Sequence, residues 1–198
     1  MEKSFLHVGC GSQSKRTIKG FSGEEWREIR FDIDSDVEPD IIGSMTDMSA
    51  VETASIDALF SSHNIEHLFA HEVPLALSEF NRVLAPNGFA VITCPDVTSV
   101  CQAVVDGKLL DPLYESPAGP ISAIDILWGH RAAIADGNQF MAHKCGFTIS
   151  ALKELMFQAG FKTTIGGARP SAFDLWVIGL KTQISNEDAQ ALGKVFLP

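Results

Sequence analysis

The sequence of 198 residues has no apolar stretch approaching the roughly 20 residues that a membrane-crossing helix needs, so no membrane partner is expected. It has no C-x-x-C pair. Cys10, Cys94, Cys101 and Cys145 stand far apart, which argues against a disulfide framework and for reduced thiols. Met1-Glu2-Lys3 leads almost directly into an apolar run, as expected of a chain with no secretory leader and a cytoplasmic location. Bases are scarce as well, 15 against 25 acids, for a net charge of −10. Between Glu24 and Asp57 eleven acids face only Arg27 and Arg30, a field that would repel a phosphate backbone, so nucleic acid is not an expected partner. There is no internal repeat, low-complexity tract or linker, and one domain spanning 1–198 is expected.

What the chain does have is alternation. Short apolar runs at 5–8, 28–33, 58–61 and 89–94 read as strands buried on both faces, with a weaker one at 39–42. Between them, Val73, Leu77, Phe80 and Leu84 fall on one helical face behind Pro74, and Asn87-Gly88 turns the chain into the next strand. A second helix is expected over 149–159, capped by Thr148 or Ser150 and ended by Gly160. Residues 161–165 and 173–180, separated by Gly166 through Pro170, read as a closing antiparallel hairpin. Ser185 opens a short final helix. Strands alternating with helices mean an α/β fold, doubly wound, with a mostly parallel sheet. The stretch 96–144 breaks this rhythm with prolines and glycines. A segment that long is usually functional, and it is expected to lie as an insert over the carboxyl ends of the strands, where ligands bind in such sheets.

The sharpest local signal is Gly9-Cys10-Gly11 after the first apolar run, followed 21 positions beyond Gly11 by Asp32. Glycines let a backbone approach a ligand, and a carboxylate ending the second strand can hold ribose hydroxyls. The dinucleotide fingerprint wants a third glycine, but Ser14 stands there, so a nucleoside ligand without a pyrophosphate is the better match.

Leu6-His7-Val8-Gly9-Cys10-Gly11 resembles the first motif of class I S-adenosylmethionine-dependent methyltransferases. Ser62-His63-Asn64-Ile65-Glu66-His67-Leu68, Arg82-Val83-Leu84-Ala85-Pro86-Asn87-Gly88 and Cys145-Gly146-Phe147-Thr148 resemble, in order, three further motifs of their type 11 branch. The resemblance implies a Rossmann-like sheet of seven strands and S-adenosylmethionine as cofactor. It places Gly9, Cys10, Gly11, Ser62 and His63 at the methionyl end, Asp32 on the ribose, Ile33 on the adenine face, and Ser44 and Met45 at the adenine edge. Ser44 departs from the family's usual Asp there. The first helix is abbreviated and the customary amino-terminal helices are missing, so the acceptor pocket is expected from the 96–144 insert or from a second subunit of a homodimer.

The implied activity is methyl transfer to a small-molecule acceptor, with His63, Asp96 and His143 as the candidate bases. Trp128, His130, Arg131 and Lys144 are further acceptor-side candidates because of the segment they occupy. Two other readings compete. A protein could bind the cofactor and regulate without catalysing. Alternatively His63-Asn64-Ile65-Glu66-His67 matches the zinc-peptidase pattern H-x-x-E-H, with His71 one turn on, and would act as a zinc hydrolase through His63, Glu66 and His67 if the stretch were helical. Because it follows a strand end, a loop is expected and no metal is assigned. Cys94 and Cys101 read as small buried hydrophobes, His7 as a satisfied interior histidine, and Trp26 and Trp176 as packing.

Overall fold

A computed structural model describes residues 2–198. Seven strands form one sheet in the order β3-β2-β1-β4-β5-β9-β8, comprising β1 (Lys3–Val8), β2 (Trp26–Asp32), β3 (Ile41–Ile42), β4 (Ile56–Ser62), β5 (Leu84–Pro95), β8 (Thr163–Arg169) and β9 (Asp174–Leu180). The first five run parallel, and β9 lies antiparallel to both β5 and β8. This is the expected doubly wound, mostly parallel sheet with a closing hairpin. The strands are buried along nearly their whole central length, as a sheet covered on both faces requires.

Two boundaries differ from the sequence reading. Asn87-Gly88 does not break the chain; helix α1 (Val73–Val83) runs straight into β5, and the pairing to β4 jumps from Ile56–Leu84 to Ala58–Phe89. The surplus residues bulge outward. Gly88 is needed there because a Cβ would stand 3.0 Å from the Ala85 carbonyl oxygen. Likewise, the glycine-rich stretch before Pro170 continues β8 as far as Arg169 instead of looping, since its backbone pairs with β9 through Arg169–Asp174.

One face of the sheet is covered by α1 and α5 (Ile149–Gln158). Val73, Ala76, Leu77, Phe80 and Val83 of α1 and Leu152 and Met156 of α5 supply the buried stripe. Thr148 caps α5, its Oγ1 accepting from the Ala151 amide at 3.2 Å. Arg82 clamps the long β3–β4 connection to α1. It forks onto Glu79 and donates to the carbonyls of Met48 and Val51.

The other face lacks the helix that normally follows the first strand of such folds; Lys15–Thr17 makes one 3₁₀ turn. Its place is taken by an aromatic cluster. Phe21, from the β1–β2 connection, stacks on Phe5 at 4.4 Å between centroids. Phe196, from the last helix α6 (Asn186–Phe196), lies 4.9 Å from Phe21 and 4.8 Å from Phe89. Gly20 is glycine because a Cβ would meet the Phe196 ring at 2.3 Å. His7 and Trp26 sit on this face as expected. His7 is 3% exposed and paired with Glu28 at 2.7 Å.

Residues 96–144 form α2 (Val97–Val105), a small hairpin of β6 (Pro112–Ser116) and β7 (Gly119–Ser122), then α3 (Ala123–Trp128) and α4 (Arg131–Ala135). Val100, Ala123 and Ile126 give it a small apolar centre of its own. Cys94 is buried but Cys101 is exposed, contrary to the reading of both as interior, because α2 turns Val100 and Ala103 inward. All four thiols are free, and among the described residues no helix is long and apolar enough to cross a membrane.

Two outcomes test this packing. Phe196→Ala empties the centre of the aromatic cluster and should cost about 3–5 kcal/mol in denaturant unfolding, with an unchanged m-value. In the insert, Asp125 caps α3 and pairs with Arg131 at 2.6 Å. Partial burial raises the Asp125 pKa, but the Arg131 and Ser122 hydrogen bonds outweigh it and hold it far below its ordinary 3.8. A depressed carboxyl stabilises the fold above its unfolded pKa and ceases to do so as pH falls through the folded value. Hydrogen exchange at 123–131 should therefore accelerate as pH drops from about 4 toward 2, after correction for intrinsic rates. Asp125→Asn should exchange fast already at neutral pH.

Candidate active site

The carboxyl ends of β1, β2 and β4 converge on the Gly9–Gly11 loop. Gly9 and Gly11 both adopt positive φ, +64° and +51°, but for different reasons. A Cβ on Gly9 would stand 2.0 Å from the Asn64 Oδ1, so this glycine admits a protein side chain. A Cβ on Gly11 would meet nothing within 4 Å, so this glycine faces open space. Asn64 went unnoticed in the sequence. Its Nδ2 donates to the carbonyls of Val8 (3.0 Å) and Ser62 (2.9 Å), tying the end of β1 to the end of β4. The signal available was its place between two strand-end motifs.

Asp32, 8% exposed, accepts from the Gly11 amide at 2.8 Å and from the Asp34 amide at 3.0 Å. Each oxygen keeps a further lone pair, so the carboxylate shapes the loop and can still receive hydroxyls. Ile33, beside it, is 52% exposed, an apolar surface without protein cover. Ser44 Oγ lies 2.7 Å from Thr46 Oγ1, and Met45 packs against the core. Cys10 is buried, and that burial raises its thiol pKa to about 11, so it is not a nucleophile.

The acceptor-side candidates divide. Asp96 is 2% exposed and is the N-cap of α2, accepting from the amides of Thr98 and Ser99 and from the Ser99 hydroxyl. Its carboxylate thus holds the start of the helix. Arg131 is likewise bound to Asp125. Lys144 sits with its Nζ 4.9 Å from the Phe69 ring centroid. His143 and Trp128 line a cleft of 280 Å³ with Pro95, Val97, Ile126 and Cys145, so the 96–144 segment and the end of β5 wall this space within one chain.

His63 carries φ +53°, strained for a non-glycine residue, at the point where β4 turns into the 3₁₀ turn Ile65–His67. That turn, and not a helix, holds the H-x-x-E-H stretch, so the zinc-peptidase arrangement does not form. His71 stacks on Phe69 instead. What the turn does bring inside is Glu66, 1% exposed, with neither carboxylate oxygen hydrogen-bonded. His63 Nδ1 stands 3.4 Å from its Oε1. Desolvation opposes both charges, yet their attraction prevails: the His63 pKa lies above its ordinary value and that of Glu66 below. His143, across the fold in sequence, packs its ring 4.9 Å from that of His67. Burial lowers the His143 pKa, keeping the ring neutral at pH 7.

Residues 6–92 match the protein family described as Methyltransferase domain. Over those 87 of its 198 residues the chain is similar to that family. Among solved structures, the chain is similar to a SAM-dependent methyltransferase from Archaeoglobus fulgidus, with 14% identity over 90% of this chain and 86% of the other at a TM-score of 0.56. It is similar too to the 1,6-didemethyltoxoflavin-N1-methyltransferase of Burkholderia thailandensis, solved with S-adenosylhomocysteine, at 15% identity, 91% and 71% coverage and a TM-score of 0.55. The chain spans less than half of a third, the citrinin polyketide synthase CMeT domain (11% identity, 92% of this chain, 47% of that one, TM-score 0.56). Likeness at these identities concerns the fold. No curated protein matches the sequence.

Asn64 and Gly9 compete for one volume, and this yields a double-mutant cycle. Gly9→Ala should destabilise by about 1–3 kcal/mol through the clash and the positive φ. Asn64→Ala in the same chain should recover part of that loss, a coupling of about 0.5 kcal/mol or more in chemical denaturation. Strict additivity would mean the two side chains do not share the space.

Proposed function

We propose that the protein transfers the methyl group of S-adenosylmethionine to a small-molecule acceptor seated in the cleft beside His143. The observation that carries this reading is the pairing of an open, positive-φ Gly11 with the buried carboxylate of Asp32 and the uncovered side chain of Ile33. Together they offer a surface for close backbone approach, an acceptor for vicinal hydroxyls and an apolar face for a planar base. When bound, S-adenosylmethionine supplies a methyl already activated by its sulfonium leaving group. The protein's part is therefore alignment and exclusion of water, worth about 7–11 kcal/mol where the reacting atoms are well placed. Ser62 ends β4 and His63 follows it; in this reading they orient the methionyl end toward the acceptor. The cleft's walls are about as polar as they are apolar, and its 280 Å³ suits a small organic acceptor and not a polymer.

Calorimetry with S-adenosylhomocysteine tests the cofactor half of the proposal. The native protein should bind it in a 1:1 ratio and bind NAD far more weakly. Asp32→Ala should lose about 1.5–3 kcal/mol for each hydroxyl contact, and more where the Gly11 loop loosens with it. Wild-type affinity in that variant, or tight NAD binding, would overturn the reading.

A further inference from the structure

Glu66, His67 and His143 present one ligand atom each within 4.8 Å of one another, although 76 positions separate the last two in sequence. The two histidines are oriented by the backbone. His67 Nδ1 lies 3.2 Å from the Ala142 carbonyl oxygen and His143 Nδ1 lies 2.8 Å from that of Ile126. A carbonyl oxygen only accepts, so both Nδ1 atoms carry a proton, which leaves Nε2 as the ring position open to a ligand. Carbonyls in this position are the usual partners of metal-bound imidazoles, fixing tautomer and ring angle.

The carboxylate makes the case independently. Glu66 is 1% exposed and has no hydrogen bond on either oxygen, a state that is expensive for a buried charge. His63 Nδ1, 3.4 Å from Oε1, offsets the charge from one side without a hydrogen bond, and Oε2 has no partner at all. A cation answers all three groups at once. The cluster is also held in place from both sides: the Lys144 and Cys145 amides donate to the Glu66 carbonyl oxygen at 2.8 and 3.3 Å, locking the return of the 96–144 segment onto the turn after β4.

We propose that Glu66, His67 and His143 bind a divalent transition-metal ion, best matched by zinc, with an open coordination position beside the acceptor cleft. Two imidazoles and one carboxylate suit zinc over magnesium or calcium, which prefer all-oxygen shells. Ligand atoms about 2.0–2.2 Å from zinc stand a little over 3 Å apart, so the site closes by side-chain adjustments of roughly 1 Å. Three protein ligands leave a fourth position free. His143 belongs to both the triad and the cleft wall, so an oxygen of the acceptor, a hydroxyl or carboxylate, can fill that position. A metal there would lower the pKa of such a hydroxyl so that its proton passes to water; the oxygen would then form the O–CH3 bond as the S–CH3 bond breaks and S-adenosylhomocysteine leaves as the neutral thioether. The metal site stands on its own geometry, whereas the role of its open position rests on the methyltransferase reading.

The test is calorimetric titration of zinc chloride into the full chain, purified without a histidine tag and stripped with EDTA. Saturation at one equivalent is expected, with a dissociation constant below about 1 μM. His143→Ala and Glu66→Gln should each weaken it by about 100-fold or more, while His71→Ala leaves it unchanged. Should Glu66→Gln fail to fold, His143→Ala decides. S-adenosylhomocysteine binding, measured on the same samples, reports folding and the cofactor reading separately. Zinc bound without S-adenosylhomocysteine keeps the metal site and removes the methyl-transfer role. Absence of saturable zinc binding, or binding that neither variant alters, overturns the proposal and leaves Glu66 balanced by protonated histidines.

Discussion

The Asn64 side chain, seated in the space that a Cβ of Gly9 would occupy, sets the geometry on which both halves of the site rest. Its two carbonyl contacts pin the end of β1 to the end of β4. On one side this fixes the glycine loop, whose Gly11 amide then reaches Asp32. On the other it fixes the sharp exit from β4, where His63 accepts a positive φ and the following turn drives Glu66 inside. Backbone strain at such a position persists only when the surroundings over-determine it, and here an amide with two carbonyl partners does so.

The site is therefore economical in sequence. Residues 62–67 supply the buried carboxylate and one of the paired imidazoles, while the return of the insert at 142–145 supplies the second imidazole and the amides that close the gap. The insert does not merely lie over the strand ends; it is hydrogen-bonded to the same turn that β4 feeds. Movement of the insert would thus change the surroundings of Glu66 directly, coupling access to the cleft with the polar cluster beneath it.

Much of this was legible from residue order. The strand runs, the faces of α1 and α5, the cap at Thr148 and the closing hairpin follow from periodicity and turn chemistry, which are local. Asp32 could be placed at a strand end from the apolar run before it, and there it holds the Gly11 amide. What residue order leaves out shares a cause. Asp96 in isolation looks like a base, and only the amides of Thr98 and Ser99 reveal it as a cap. Cys101 could not be told from Cys94 without the helix phase. His71 appeared to belong with His63 and His67 because sequence shows spacing and not the 3₁₀ turn that sends it elsewhere. The partnership of His67 with His143 is purely tertiary, and no pattern within either segment announces it.

The abbreviated connections around β1 to β3 also explain the sequence's acidity. With no helix beside it, the two-residue β3 ends the sheet at an open edge, and Ile42 is 61% exposed there. An uncovered apolar edge is a template for another chain's strand. Exposed Asp36, Glu38 and Asp40 line the approach to it, and the strand itself is too short to template a ladder. A second copy arriving edge to edge would bring the same carboxylates against these. The charge that first reads as a bar to nucleic acid thus also surrounds an exposed apolar side chain, Ile42, at the open edge of the sheet.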